Sequence, residues 1–531
     1  MENKQFNKTK IVLIMLGLMA SLLMSALDST IVGTAMKKIV DDLKDIQSYA
    51  WPFTIYMLCS TIAIPVFGGL SDIFGRKHIF LSGIVIFLAG SVLSGTSQSM
   101  LQLIIYRGLQ GIGGGIVVSS VFTIVADLFD AKKRGKYMGI VTSMFGLASV
   151  VGPLIGGFLT DNLSWRWIFY INIPIGIAAV ILIFINMPNF KVDNTRRSID
   201  IKGIVTLTLA LIPMLLAFSW AGKDYAWSSV EIIGMLVFSA LMLFVFVFIE
   251  SKSSNPIIPL VLFKDRAINI SMLVAFLTNA LMFAAIMFLP YFVQGVLGSS
   301  ASTSGAITTP MMLALLLTSN ITGIMVSKKS KSKGFIILAF VLMSLGTWLL
   351  SSMGVTTPYY KVIVFMVILG LGIGITMPIA NIAAQNAAPR EQLASVTSVV
   401  QFFRNIGGTI GSAIFGTIMT TSMNLGLSKI DLSHVPENVQ PLLRNPQIIT
   451  DTQAMSQIKA HVPNEYMDYF NGIFNKLKTI LSDSIHDVFF FCIFIAVAGI
   501  IIAFLFKEVG KRPAASGLKV KSEVIPEFTE E

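Results

Sequence analysis

Residues 11–33 read IVLIMLGLMASLLMSALDSTIVG, twenty-three residues carrying a single charge, Asp28. A helix rises about 1.5 Å per residue, so roughly 20 apolar residues cross the ~30 Å hydrocarbon layer of a bilayer. The stretch is long enough to span a membrane, and the aspartate lies inside it. Lys4, Lys8 and Lys10 precede it as they would a signal peptide. The run exceeds the roughly 7–15-residue apolar region of such a peptide and has no small-residue cleavage site, so it is expected to stay as a first span.

Thirteen further runs of this kind follow, at 50–70, 79–97, 101–125, 137–160, 167–188, 200–219, 229–250, 268–293, 304–326, 334–351, 358–380, 395–420 and 486–506. The 531 residues are 54% apolar and 13% charged, with a mean hydropathy of +0.78. A soluble chain carries about 25% charge, and this one would expose apolar surface it could not cover. Backbone donors in lipid must be satisfied within their own segment, so each run is a helix. The ~10-residue alternating segments of a membrane β-barrel are absent. The expected fold class is an all-α polytopic membrane protein with fourteen spans.

Most lysines and arginines fall on one side if the N-terminus is placed in the cytoplasm, as the positive-inside rule requires, and both termini are then cytoplasmic. Topology thus accounts for the net charge of +11, and nucleic-acid binding is not needed to explain it. Cys59 and Cys492 each sit within a span, where a small buried side chain is the ordinary role. His78, His434, His461 and His486 make no metal spacing, so neither metal nor other cofactor is expected. No phosphate-binding loop of the Walker type occurs, which leaves an ion gradient as the energy source.

Between the second and third spans stands Gly68-Gly69-Leu70-Ser71-Asp72-Ile73-Phe74-Gly75-Arg76-Lys77, a glycine-bearing turn with one acid followed by two bases. Its glycines permit close helix approach and a positive-φ turn, and Asp72 can pair with a base beside it. The pattern resembles the hallmark loop of the major facilitator superfamily, G-x-L-x-D-x-x-G-R-K/R. The resemblance implies a cytoplasmic charge relay of Asp72, Arg76 and Lys77, with Asp127 and Arg134, closing against the start of span thirteen.

Span four opens Arg107-Gly108-Leu109-Gln110-Gly111, similar to that superfamily's R-x-x-Q-G motif. Its glycines make a packing face rather than a nucleotide loop, since no strand precedes them. An arginine within a span is costly and faces a cavity or a partner. The expected partner is Asp28, in Leu27-Asp28-Ser29-Thr30, which resembles the span-one motif of fourteen-helix drug:proton antiporters. Asp28 lies about five residues from the outer end of its span and Arg107 about six from the outer start of its own, which gives similar depth at 1.5 Å per residue. Rearranging such a pair would change the protonation of the carboxylate, the minimum needed to couple a proton to a conformational change. A static ion pair that only fixes helix packing is the competing reading.

Gly146, Gly152, Pro153, Gly156 and Gly157 in span five resemble the antiporter signature G-P-x-x-G-G, which implies export. Physically, the proline frees a carbonyl and the glycines let the helix bend. Trp165-Arg166-Trp167-Ile168-Phe169-Tyr170-Ile171-Asn172-Ile173-Pro174 is similar to a stretch of fourteen-span members and reads as an interfacial aromatic belt. The implied organisation is a six-helix bundle (1–190), two linker helices (191–265) and a second six-helix bundle (266–531), which includes an outer loop at 421–485 and a tail at 507–531. The bundles should be related by a pseudo-two-fold along the membrane normal, with substrate bound between them. Gly323 to Lys333 echoes the Gly68 loop without its acid.

No acid lies within spans nine to thirteen, so a dicationic substrate is disfavoured. Candidates for the central cavity are Met24, Tyr56, Gln110, Met144, Asn279, Met282, Phe283, Gln401 and Arg404, the last either binding an anionic group or pairing with a carbonyl. In the outer loop Tyr466, Phe470, Ile473, Phe474, Leu477, Ile480 and Leu481 recur at helical spacing, as in an amphipathic helix on the membrane surface or over the outer mouth. The expectation is a monomeric multi-pass protein of the cell membrane exporting amphipathic small molecules in exchange for protons. A dedicated exporter of a lipid, siderophore or peptide is the alternative. A membrane-embedded enzyme or sensor would need a catalytic cluster or an appended domain, and the sequence displays neither.

Overall fold

In the computed structural model the described residues are 8–45, 48, 51–188, 199–222, 225–253, 256–299, 301–329, 332–389, 392–430 and 467–506. Lys4, the loop segment 431–466 with His434, His461 and Tyr466, the tail 507–531 and the side chains of Pro153 and Phe470 lie outside that description. Among the described residues fourteen long helices follow one another: α1 (Lys8–Leu43), α2 (Trp51–Phe74), α3 (Arg76–Thr96), α4 (Met100–Leu128), α5 (Ala131–Asn162), α6 (Trp167–Asn186), α7 (Ile201–Trp220), α8 (Val230–Lys252), α9 (Arg266–Tyr291), α10 (Ala301–Lys329), α11 (Lys333–Ser351), α12 (Tyr359–Ala387), α13 (Leu393–Leu427) and α14 (Met467–Leu505). α6 is broken by one turn at Ile171, and α9 runs on through a single π turn at Phe292–Val296.

Thirteen of these helices are long and apolar enough to cross a membrane by composition alone. The exception is α13, which carries Gln401, Arg404, Asn405 and a series of glycines, and most of its first half is buried against other helices. A span that faces protein has no need of a lipid-facing apolar surface.

The packing repeats. α1 lies against α5, α2 against α4, α3 against α4 and α1 against α6; eight helices later α9 lies against α13, α10 against α12, α11 against α12 and α9 against α14. Contacts between the two sets repeat as well, α2 with α13 answered by α10 with α5. The α7–α8 hairpin packs through α7 onto both α2 and α13.

Small residues set the contact between the sets. A Cβ added at Gly68 of α2 would collide with Ser398 of α13, and one added at Gly323 of α10 would collide with the carbonyl of Gly135 in α5. The sequence echo at Gly323 is thus also an echo in position. Glycines at helix crossings let backbones approach and recover dispersion energy that lipid cannot supply. These approaches lie at the end of the bundle that carries the Gly68–Lys77 turn, called the loop end below. At the opposite end of α5, a Cβ on Gly157 would meet nothing within 4 Å, and Leu154 and Phe158 are exposed. The two sets close on each other at the loop end.

The last helix corrects one expectation. Ile473, Leu477, Leu481 and Ile485 are buried in the core, and α14 runs unbroken from Met467 through the predicted last span. The apolar stripe of 473–485 is therefore an extension of a span packed against the bundle, not a helix lying on the membrane surface or part of a loop.

Candidate functional site

α1 and α4 bring Asp28 and Arg107 together as their depths predict. Arg107 Nη1 donates to Asp28 Oδ2 at 2.5 Å, with both side chains wholly shielded. Gln110, one turn on from Arg107, donates from Nε2 to Asp28 Oδ1 at 2.8 Å. Asn172 Nδ2 donates to the same oxygen at 3.2 Å. The carboxylate is thus held by one cation and two amides from α4 and α6. Charge-assisted donors of this kind are what a buried anion requires.

The arginine is fixed in turn. Its Nη1 also donates to Gln110 Oε1 at 2.9 Å and its Nε to the Pro52 carbonyl at 3.3 Å, while its plane lies 4.3 Å from the centre of the Tyr56 ring. Nη2 is buried without a hydrogen-bond acceptor, so the ring and its neighbours are its only company. Ser91 completes the cluster: it accepts from Gln110 and Asn172 at 3.2 and 3.1 Å and donates to the Phe169 carbonyl at 2.8 Å.

Asn172 and Ser91 were not singled out by sequence reasoning. Asn172 sits in the stretch read as an aromatic belt, and its signal was an amide at the start of an otherwise apolar run. The belt reading also needs correcting: Trp167 is half-exposed, but Trp165 is buried and donates from Nε1 to Asp42 at 2.9 Å. Arg166 pairs with the same carboxylate at 2.9 Å. Together the Trp165 and Arg166 donors hold the Asp42 carboxyl below its ordinary range and tie the end of α1 to the α5–α6 turn.

At the loop end, Arg76 Nη1 lies 2.6 Å from Asp72 Oδ1, and its Nε lies 2.9 Å from Asp127 Oδ2. Gly75, at φ 88°, supplies the left-handed turn that brings Arg76 back onto Asp72. Ser395, near the start of α13, donates to Asp72 Oδ2 at 3.1 Å, so the relay reaches across to the other set. Arg134 bonds the Ala126 carbonyl at 2.9 Å and the side chain of Asn386 on α12 at 3.5 Å. Lys77 turns away, donating to the Phe184 carbonyl at 2.8 Å.

In α5, Gly146 lies against the Met312 carbonyl of α10, and a Cβ on Gly152 would collide with Thr30 of α1. Thr30 donates to the Ala148 carbonyl at 3.2 Å, so the α1–α5 seam runs two residues from Asp28.

The cavity candidates separate into three kinds. Met24 is wholly buried in the apolar core, and Gln110 and Tyr56 belong to the Asp28–Arg107 cluster, so in this structure none of the three faces open space. Met144, Met282 and Phe283 are half-buried. Gln401, Arg404 and Asn279 form a second polar cluster with Asn381, which sequence reasoning missed. Arg404 donates to Gln401 Oε1 at 3.1 Å and the Met377 carbonyl at 3.0 Å, Gln401 donates to Asn381 at 3.2 Å, and Asn279 donates to the Arg404 carbonyl at 2.9 Å. No carboxylate pairs with Arg404 among the described residues, and Asn381 Nδ2 is buried without a partner.

Two interlocked helix sets, a latched seam between them and a buried carboxylate within one of them are the architecture of a polytopic transporter. The chain belongs to the Major Facilitator Superfamily, whose family model matches residues 18–412. It is 40% identical to "Multidrug transporter protein MdtP" of Bacillus subtilis (strain 168), over 95% of this chain and 94% of that protein. "Multidrug resistance protein 3" of the same organism is 36% identical, over 93% and 95% of the two chains. An "MFS-type efflux pump MFS1" of Arthroderma benhamiae (strain ATCC MYA-4681 / CBS 112371) is 32% identical, over 88% and 87%. Among solved structures, the proton:xylose symporter XylE superposes with a TM-score of 0.57 at 15% identity, covering 86% of this chain and 97% of that one. The human organic anion transporter MFSD10 gives 0.57 at 14%, covering 93% and 100%. Likenesses at that identity speak for the fold alone.

Proposed function

We propose that this chain is a multidrug exporter that exchanges protons for amphipathic small molecules by alternating access. Its two six-helix sets (1–190 and 266–531) rock about a central site, with residues 191–265 as linker. The observation that carries the coupling is Asp28: a wholly buried carboxylate held by Arg107, Gln110 and Asn172 at 2.5–3.2 Å. A carboxylate so placed changes its proton occupancy when those donors move. The closed loop end, latched by Asp72 and Ser395, is read as the state open to the outside. The names of the relatives support export of drugs, and the charge distribution supports a plasma-membrane protein with both termini in the cytoplasm. The chain acts as a monomer on this reading, since one fold holds both halves of the seam.

The polar cluster around Arg404 favours neutral or anionic groups on the substrate at that position, because it presents one cation and spare amide donors. The test is transport by the purified protein in liposomes under an imposed proton gradient, with a panel of lipophilic cations, neutral drugs and anionic amphiphiles. Gradient-dependent accumulation of several members supports the reading. Accumulation of a single lipid, siderophore or peptide replaces it with the dedicated exporter, and transport indifferent to the proton gradient removes the coupling.

A further inference from the structure

Asp200 and Glu250 stand outside the sites described so far. Asp200 caps the start of α7 and accepts from Gly203 N through Oδ1 at 2.8 Å; its Oδ2 is buried with no donor. Glu250, in the last turn of α8, is 2% exposed. Its Oε1 accepts from Ile258 N at 2.6 Å, and its Oε2 also lacks a donor. The two orphan oxygens converge above Gly203, lying 2.9 Å (Glu250) and 3.1 Å (Asp200) from the point a Cβ there would occupy. The two carboxyl groups are within hydrogen-bond reach of each other.

Two carboxyl oxygens this close, one of them on a wholly buried side chain, repel each other when both carry charge. Nearby charges do not relieve the pair. Across a cavity of about 430 Å³ that both acids line, Asp72 is a third acid and is already tied to Arg76. Lys252 lies over the Phe248 ring at 4.1 Å, Lys202 and Lys264 are exposed, and Asp265 caps α9. α13 presents Gln392 and Ser395 to the cavity, neither charged. A single proton between the facing oxygens satisfies both at once.

We infer that Asp200 and Glu250 form a proton-binding site at the loop end, the two carboxyls holding one proton between them while the α2–α13 seam is closed. The connection to the seam is mechanical. Glu250 anchors the strap formed by residues 256–259 after α8 by its bond to Ile258, and the Ile257 carbonyl lies 3.2 Å from where a Cβ on Gly69 would stand, three residues before Asp72. When the proton leaves for bulk water, two adjacent carboxylates push the start of α7 from the end of α8 and draw the strap off α2. Closure and proton retention therefore favour each other reciprocally. The site is independent of Asp28 and binds its proton whatever gradient drives transport.

The test uses the full-length protein in lipid nanodiscs. Infrared spectra at neutral pH should show a protonated-carboxyl carbonyl band that is lost in both Glu250→Gln and Asp200→Asn and kept in Asp28→Asn. In a chain with Cys59 and Cys492 replaced by alanine, spin labels at Lys133→Cys and Pro389→Cys report the loop-end separation. Raising pH should lengthen this separation in the parent. In Glu250→Gln, whose amide donates to Asp200 and keeps the strap, the separation should stay short at every pH. A spectrum unchanged in both variants overturns the proposal, and so does a separation in Glu250→Gln that moves with pH as the parent does. Loss of coupling in Asp28→Asn alone bears on the transport reading and leaves this site untouched.

Discussion

Replacing Asp28 by asparagine tests the coupling reading most directly, because asparagine keeps the shape and the acceptor for Gln110 and Asn172 while removing the charge. Arg107 would then remain wholly shielded with no anion. Unit charges about 4 Å apart at an effective dielectric near 20 attract by about 4 kcal/mol, and stranding one member of a buried pair costs about 3–5 kcal/mol. Asp28→Asn should therefore lower thermal stability in detergent markedly. Arg107→Gln should lower it by a similar amount, and the double variant should lose less than the sum by about 2–3 kcal/mol. In liposomes, uphill transport driven by an imposed proton gradient should fall to the level of protein-free vesicles in Asp28→Asn, with downhill substrate exchange retained. Wild-type uphill transport by that variant would refute the reasoning, since the buried pair would then be a packing device and nothing more.

Two further perturbations probe the seam and the far end. Gly68→Val places a side chain where Ser398 stands, so the loop end should fail to close; transport should stop while the chain still inserts, and Ser395→Cys should become open to a membrane-impermeant thiol reagent from the cytoplasmic side in the Gly68→Val background. Asp42→Asn removes the charge that pairs with Arg166 and leaves a single neutral oxygen to accept from Trp165 and Arg166. Because the folded carboxyl keeps its charge below the ordinary 3.8, its contribution is full above that pH and disappears as pH falls through the lower folded value. Wild type should therefore exceed Asp42→Asn in stability at neutral pH by less than about 1 kcal/mol for so exposed a pair, read as a slightly higher melting temperature, and the two should converge in strong acid.

Helix positions were legible because lipid leaves the backbone no other solution, and Asp28 met Arg107 because depth along two rigid helices is simple arithmetic. Rotation about a helix axis is not legible in the same way. Tyr56 and Gln110 were placed in the cavity, whereas the structure turns them onto Arg107 and Asp28. Asn172 hid in a stretch dominated by aromatic residues, and Asn381 in a helix of glycines and alanines. The apolar stripe at Ile473, Leu477 and Leu481 announced a covered face without saying whether lipid or protein covers it. The pairing of Asp200 with Glu250, fifty positions apart at the two ends of a hairpin, needed the fold.

The polarity of α13 has a consequence for how the chain is made. An arginine at mid-helix costs about 2.5–3.5 kcal/mol on entry into a bilayer, and Gln401 and Asn405 add to it. α13 leaves the ribosome just after α12, which already carries the Met377 carbonyl and Asn381 that receive Arg404 and Gln401. The two helices therefore enter lipid best as a hydrogen-bonded pair. Biogenesis of the second half then turns on an amide of α12 being in place before the arginine of α13 arrives.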